Sequence, residues 1–255
     1  MSKATLITIP FSHYCEKARW ALELAGVDFE ERGYLPGLSR LVTARYGGTT
    51  VPLLVADGLV LKDSTEIVGY ADRRAPREEQ RLLPTDSAAR DEALSLEDRF
   101  DKRVGVASRA WAYSHLLNEP ERIQQLASAG VSRAQAMALG PLKGHLATLI
   151  RKGLRIGPTT RAWGAQRVDE DLAFVGERLA DGRRFLLGDR LTVADIAFAT
   201  LSAPALLPPE YGAILPTPES LPREATEQIM AWRATAGGQF ALRIYREHRR
   251  SARRA

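Results

Sequence analysis

The chain has 255 residues, 45% of them hydrophobic and 26% charged, the composition of a globular protein large enough for one big domain or two ordinary ones. No apolar run reaches the length of a membrane span, and the opening MSKATLITIP has neither the apolar core nor the cleavage site of a signal peptide. The net charge of +5 is matched by residues 243–255 alone, six arginines against one glutamate, so the body of the chain is neutral. That argues for a solvated basic tail and against a nucleic-acid-binding body.

In chain order, ATLITI (4–9) reads as a strand. From Cys15 the residues Cys15, Ala18, Leu22 and Ala25 recur at spacings of 3, 4 and 3, the buried stripe of a helix that Gly26 ends. VDFEER (27–32) alternates and reads as a second strand, and residues 33–50 form a Gly/Pro-rich loop with at most a short helix near 38–46. VPLLVADGLVLKD (51–63) is two strands about an Asp-Gly turn, and STEIVGYADRR (64–74) restores helical spacing. Beyond the Pro-rich, charged stretch 74–86 no strand pattern recurs. Helices are expected over 86–117, 119–129, 132–155, 160–181, 192–203 and 223–236, with a Pro-rich connection at 204–222. A single cysteine permits no intramolecular disulfide, so a reducing cytoplasm is the expected setting. Four scattered histidines and one cysteine give no metal-ligand spacing, so no metal is expected.

This order resembles the cytosolic glutathione S-transferase family over nearly the whole chain. SHYC (12–15) is similar to the C-P-Y-C of the glutaredoxin relatives, with serine in the first position. TVPLLV (50–55) resembles the segment before the family's cis-proline, DSTEI (63–67) its acidic-Ser pair, and LLGDRLTVADIAFATL (186–201) the signature of its helical domain. The resemblance implies an α/β thioredoxin-like N-terminal domain (βαβαββα) over 1–78, a linker over 79–85 and an all-α helical C-terminal domain over 86–245. Residues 246–255 are left as a basic tail without fixed structure.

The resemblance also implies a cytoplasmic homodimer in detoxification, with glutathione as co-substrate and a small hydrophobic electrophile as partner. Ser12 would be the catalytic residue; Val51, Pro52, Asp63 and Ser64 would bind glutathione. Val51 would pair with its backbone, and Ser64, as helix cap, would present N–H groups to its γ-glutamyl carboxylate beside Asp63. The electrophile's pocket would draw on RAWAYSHLL (109–117), where Trp111, Tyr113 and His115 alternate and so cannot share one helix face.

The chemistry is within reach of one hydroxyl. A free thiol with pKa about 8.5 is only a few per cent ionised at pH 7, and lowering it by two units takes about 2.7 kcal/mol. A hydrogen bond to a charged acceptor supplies about 1.5–3 kcal/mol and a helix N-terminus about 0.3–1. Ser12 has a plainer reading, as an ordinary N-cap of the first helix. Cys15 is the alternative thiol, which would make the protein a thiol transferase working through a mixed disulfide. Its place on the buried stripe marks it instead as a small core residue, and no second thiol supports dithiol exchange. A further alternative is a non-enzymatic protein that binds glutathione or a hydrophobic ligand. Thr192 and Asp195 have capping-box spacing and are assigned to folding.

Overall fold

A computed structural model describes residues 3–249 of the chain. By its internal contacts the chain divides into two units, Met1–Arg81 with Leu116–Arg155, and Leu82–His115 with Ile156–Ala255.

The first unit is built on a four-stranded sheet of order β2-β1-β3-β4, with β1 at Ala4–Thr8, β2 at Phe29–Gly33, β3 at Leu53–Ala56 and β4 at Leu59–Leu61. β1 pairs parallel with β2 and antiparallel with β3, and β3 pairs antiparallel with β4. A parallel pair needs a crossover, which is α1, His13–Leu24. Its predicted stripe is buried: Cys15, Ala18 and Leu22 are fully inaccessible, and burying the Leu22 side chain alone contributes about 1.5–3 kcal/mol. The β3–β4 turn is Asp57-Gly58, both with positive φ (51° and 78°), as the Asp-Gly signal requires. α2 (Leu38–Ala44) and α3 (Ser64–Asp72) complete the βαβαββα order, and α1 packs against α3.

Three further helices belong to this unit: α6 (Pro120–Ser128), α7 (Arg133–Leu139) and α8 (Lys143–Gly153). Within this unit the turn after α6 seats Gly130 against Pro10 and Gly33, and Gln135 bonds the backbone leaving β2.

The second unit is helical: α4 (Ser87–Lys102), α5 (Val104–Leu116), α9 (Thr160–Arg178), α10 (Val193–Leu206), α11 (Arg223–Ala234) and α12 (Ala236–His248). α10 is its axis, with thirteen of its residues buried, and packs on α4, α11 and α12. Its start is the predicted capping box, and its last turn tolerates Pro204. The carbonyls left open there are met by Arg233, which donates to Leu206 O at 2.7 Å and Leu207 O at 2.5 Å.

Helix boundaries depart from the sequence reading where a side chain or a proline intervenes. The expected helix 86–117 breaks at Arg103 (φ −111°, ψ −86°), whose guanidinium is drawn to Glu170 at 2.9 Å and Asp171 at 3.2 Å. The expected helix 132–155 is interrupted at Gly140–Leu142, where Pro141 lacks an N–H. α12 was not expected at all; Thr235 caps it by accepting from Gly238 N at 3.0 Å. It runs through Arg246–His248, inside the segment assigned to the basic tail; residues 250–255 lie outside the described residues.

Candidate active site

β1 and β4 run in the same direction, β3 against them, so the end of β1, the start of β3 and the end of β4 meet at one end of the sheet. There α1 and α3 begin. Ser12, the Val51–Pro52 pair and Asp63–Ser64 are brought to this end by topology alone.

Beyond β1 the chain makes a four-residue turn, Ile9-Pro10-Phe11-Ser12, closed by Ser12 N donating to Ile9 O at 2.9 Å. Proline in its second position fits the turn's fixed φ. Ser12 is the N-cap residue of α1 by backbone (φ −71°, ψ 127°), and its carbonyl accepts from Glu16 N at 2.9 Å. Its hydroxyl, however, makes no capping bond to the helix. It acts instead on the Cys15 thiol, lowering its pKa together with the Ile9 backbone and the Arg19 charge. Burial outweighs them all and pushes the Cys15 thiol up to about 12, so this thiol is neutral at pH 7 and inaccessible.

Val51 and Pro52 are joined by a cis peptide bond just before β3. β1 and β3 pair Ile7 with Leu53, so the cis bond directly precedes the β3 residue that faces the end of β1, two residues before Ile9 at the foot of the Ser12 turn. At the start of α3 the sequence reading needs a correction of one residue. Asp63, not Ser64, is the N-cap: its Oδ1 accepts from Thr65 N at 2.8 Å. Three residues on, Glu66 Oε2 accepts from Lys62 N at 2.8 Å. The capping signature is thus D-x-x-E from Asp63, legible in DSTEI had the frame begun there. Ser64 is the first helical residue and is buried.

Among the three aromatic candidates on α5, Trp111 is a core residue, 3% exposed, its ring edge-on to Trp232 (4.7 Å) and His115 (4.8 Å). Trp111 and His115, four residues apart, share a helix face. Tyr113 lies off it, half-buried, and desolvation raises its phenol to about 12.

One group escaped the sequence reading. Arg19 on α1 is buried and donates to Glu31 through Nε at 2.8 Å and Nη2 at 2.6 Å, to Glu16, and to Pro10 O at 3.1 Å. Thr8 Oγ1 donates to Glu31 at 2.7 Å. The polar side of α1 is therefore an internal network beneath the Ser12 turn. The E-x-x-R spacing in EKAR was its only local signal. Among the described residues no three His, Cys, Asp or Glu side chains are grouped as a metal ion would need, and no helix is long and apolar enough to cross a membrane.

Two family models match the chain: "Glutathione S-transferase, N-terminal domain" over residues 6–79 and "Glutathione S-transferase, C-terminal domain" over residues 124–234. No curated protein matches it. Among solved structures, the chain is similar to the beta-etherase LigF from Sphingobium sp. strain SYK-6, with 19% identity, a TM-score of 0.58, and 95% of this chain and 99% of that one covered. A glutathione S-transferase from Sinorhizobium meliloti 1021 aligns at 18% identity and TM-score 0.55, over 95% and 93% of the two chains. Another, from Methylobacterium radiotolerans in complex with glutathione sulfonate, aligns at 20% identity and TM-score 0.54, over 94% and 95%.

Proposed function

Because the chain belongs to the glutathione S-transferase family, we propose that it is a glutathione transferase in which the Ser12 hydroxyl holds the co-substrate's sulfur as a thiolate. The observation that carries this reading is the state of the first helix N-terminus. Ser12 sits at the cap position with its hydroxyl not engaged by helix N–H groups, and the nearby thiol is buried and neutral. A ligand sulfur arriving there is a stronger acceptor than the Cys15 thiol. It meets one charge-assisted hydrogen bond and a helix N-terminus, together about 2–4 kcal/mol, which covers the two-unit shift that activation needs.

Binding follows the strand and helix ends. Glutathione's cysteinyl backbone pairs with Val51 as an added strand, next to Pro52. Its γ-glutamyl carboxylate is taken by Ser64 and the N-terminus of α3, a nine-residue helix, and its ammonium group by the exposed carboxylate of Asp63. The second substrate is a small hydrophobic electrophile. Assembly as a homodimer, a cytoplasmic setting and a detoxifying role belong to the same proposal.

The test is the ultraviolet absorbance of the thiolate of bound glutathione, titrated against pH. The native protein should show a bound thiol with pKa near 6.5, and Ser12→Ala should return it toward about 8.5 with glutathione affinity little changed. Conjugation at pH 7 should fall about 10–100-fold and partly recover at pH 9, where the thiol ionises unaided. A bound thiol that is not activated in the native protein would instead identify a non-enzymatic glutathione carrier. Loss of activity in Cys15→Ala but not in Ser12→Ala would invert the assignment.

A further inference from the structure

We propose that the turn between α6 and α7 is part of the thiol site, with Gly130 and Gln135 acting as positioning residues that hold the Pro10 turn and thereby set where the Ser12 hydroxyl stands. The inference rests on the reading of Ser12 as the thiolate's donor. Pro10 is buried and gripped on more than one side. Its carbonyl accepts from Arg19, and its ring lies against two glycines. A Cβ added at Gly33 would stand 2.1 Å from Gly130 O and 2.8 Å from Pro10 Cγ. A Cβ at Gly130, whose φ is +79°, would stand 2.9 Å and 3.0 Å from Pro10 Cβ and Cγ. Neither position has room for a side chain, and Gly130 also has a left-handed backbone that disfavours one.

Gln135 makes the grip specific. Ser132 caps α7, accepting from Gln135 N at 3.4 Å, and the S-x-x-Q spacing would let the glutamine amide turn back to complete a capping box. The amide goes elsewhere. Its Oε1 accepts from Leu35 N at 3.1 Å and its Nε2 donates to Gly33 O at 3.3 Å. These are the two bonds a neighbouring strand would make to that edge, since the backbone N–H of Tyr34 between them is turned toward β1 and donates to Thr8 O at 2.9 Å. A side chain 100 residues downstream of Leu35 thus ties α7 to the end of β2, beside Pro10, which is two residues from Ser12. Hydroxyl-to-sulfur alignment is sensitive on this scale, because a displacement of about 1 Å costs about 100-fold in rate.

Gln135→Leu removes both bonds without adding bulk at the turn, Gly130→Ala pushes on the proline ring, and Met137→Ala, at an exposed position of the same helix, is the control. Three measurements are made on each full-length variant and on Ser12→Ala: amide hydrogen exchange at Ser12, the pKa of bound glutathione's thiol, and glutathione affinity. In Gln135→Leu, Ser12 exchange should quicken and the thiol pKa should rise part of the way seen in Ser12→Ala. Turnover at pH 7 should drop about 3–10-fold and largely recover at pH 9, with affinity within about two-fold. Gly130→Ala should act in the same sense and more strongly, and Met137→Ala should change nothing. Unchanged Ser12 exchange and thiol pKa in Gln135→Leu overturn the clamp, whatever Ser12→Ala does. Quickened exchange in Gln135→Leu beside an unchanged thiol pKa in Ser12→Ala overturns the reading of Ser12, and with it the catalytic meaning of the clamp.

Discussion

α1 and α10 begin alike on paper, each with a hydroxyl residue at the N-cap and an ionisable side chain three residues on: Ser12 and Cys15 in one, Thr192 and Asp195 in the other. The outcomes differ. At α10 the carboxylate closes the start of the helix: Oδ2 accepts from Thr192 N at 2.7 Å and Thr192 Oγ1 at 2.8 Å, and Oδ1 from Leu186 N at 2.7 Å. At α1 the Ser12 hydroxyl makes no capping bond, and its neighbour is a buried neutral thiol, a weak acceptor. A helix start whose groups are mutually satisfied builds structure; one whose hydroxyl meets only a weak acceptor leaves room for a stronger one from outside.

The largest effect should come from opening the closed start. Asp195→Ala leaves the N–H groups of Leu186 and Thr192 buried without their acceptor, which should cost about 2–4 kcal/mol in urea denaturation at pH 7. The same residue sets a pH window. Burial raises the Asp195 carboxyl to about 6, against about 3.9 in an unfolded chain. A raised folded pKa means that the folded state binds the extra proton. The resulting stabilisation is complete below about pH 4 and is lost as the pH rises through about 6, a span of up to about 3 kcal/mol. Denaturation of the native protein should show this decline and Asp195→Ala should not; equal slopes would mean that the three donors keep the carboxylate ionised throughout.

The two helix starts were also unequally legible. Thr192-x-x-Asp195 before an apolar run carries its own explanation, because both partners lie within one turn. The succession of strands and helices in the first 80 residues and the α1 stripe were legible for the same reason, as local periodicity. What escaped the sequence depends on partners far along the chain. The polar face of α1 is internal because Glu31, on β2, supplies a counter-charge for Arg19, and nothing in EKAR reveals that. Gly130 and Gln135 reach Pro10 and the end of β2, yet in the sequence they look like an ordinary turn and an ordinary capping box. α12 was obscured by its glycines: Gly237 and Gly238 lower helix propensity but allow close packing on Leu172 and Trp232. At the candidate site, the types and places of Ser12, Val51, Pro52, Asp63 and Ser64 came from resemblance, and the cap at α3 was misassigned by one residue.

α3 offers a middle case that sharpens the contrast. There Asp63 does the capping, as Asp195 helps to do at α10, and the adjacent buried serine hydroxyl is not the cap. If Ser64 meets glutathione's carboxylate, Ser64→Ala should weaken binding by about 1–3 kcal/mol, about 5- to 150-fold in Kd by calorimetry, with little loss of stability. Unchanged affinity together with a lowered unfolding midpoint would place Ser64 among the structural groups of the helix start.

The smallest effect should come from the residue that distinguishes α1 from α10. Cys15 is fully inaccessible, so Cys15→Ala deletes one buried sulfur and leaves a small void, at about 1–2 kcal/mol of stability. It also removes the weak acceptor that the Ser12 hydroxyl has within the chain. In the presence of glutathione that acceptor is replaced by the ligand's sulfur, so turnover should stay within a few-fold of the native rate. Cys15→Asp goes further, installing the S-x-x-D pattern of a closed start. If sulfur at this position is what keeps the Ser12 hydroxyl available, a carboxylate should draw it inward, and the thiol of bound glutathione should then titrate close to its value in Ser12→Ala. A thiol pKa in Cys15→Asp equal to that of the native protein would mean that the backbone of the Ile9–Ser12 turn, and not the third residue of the motif, decides which way the hydroxyl points.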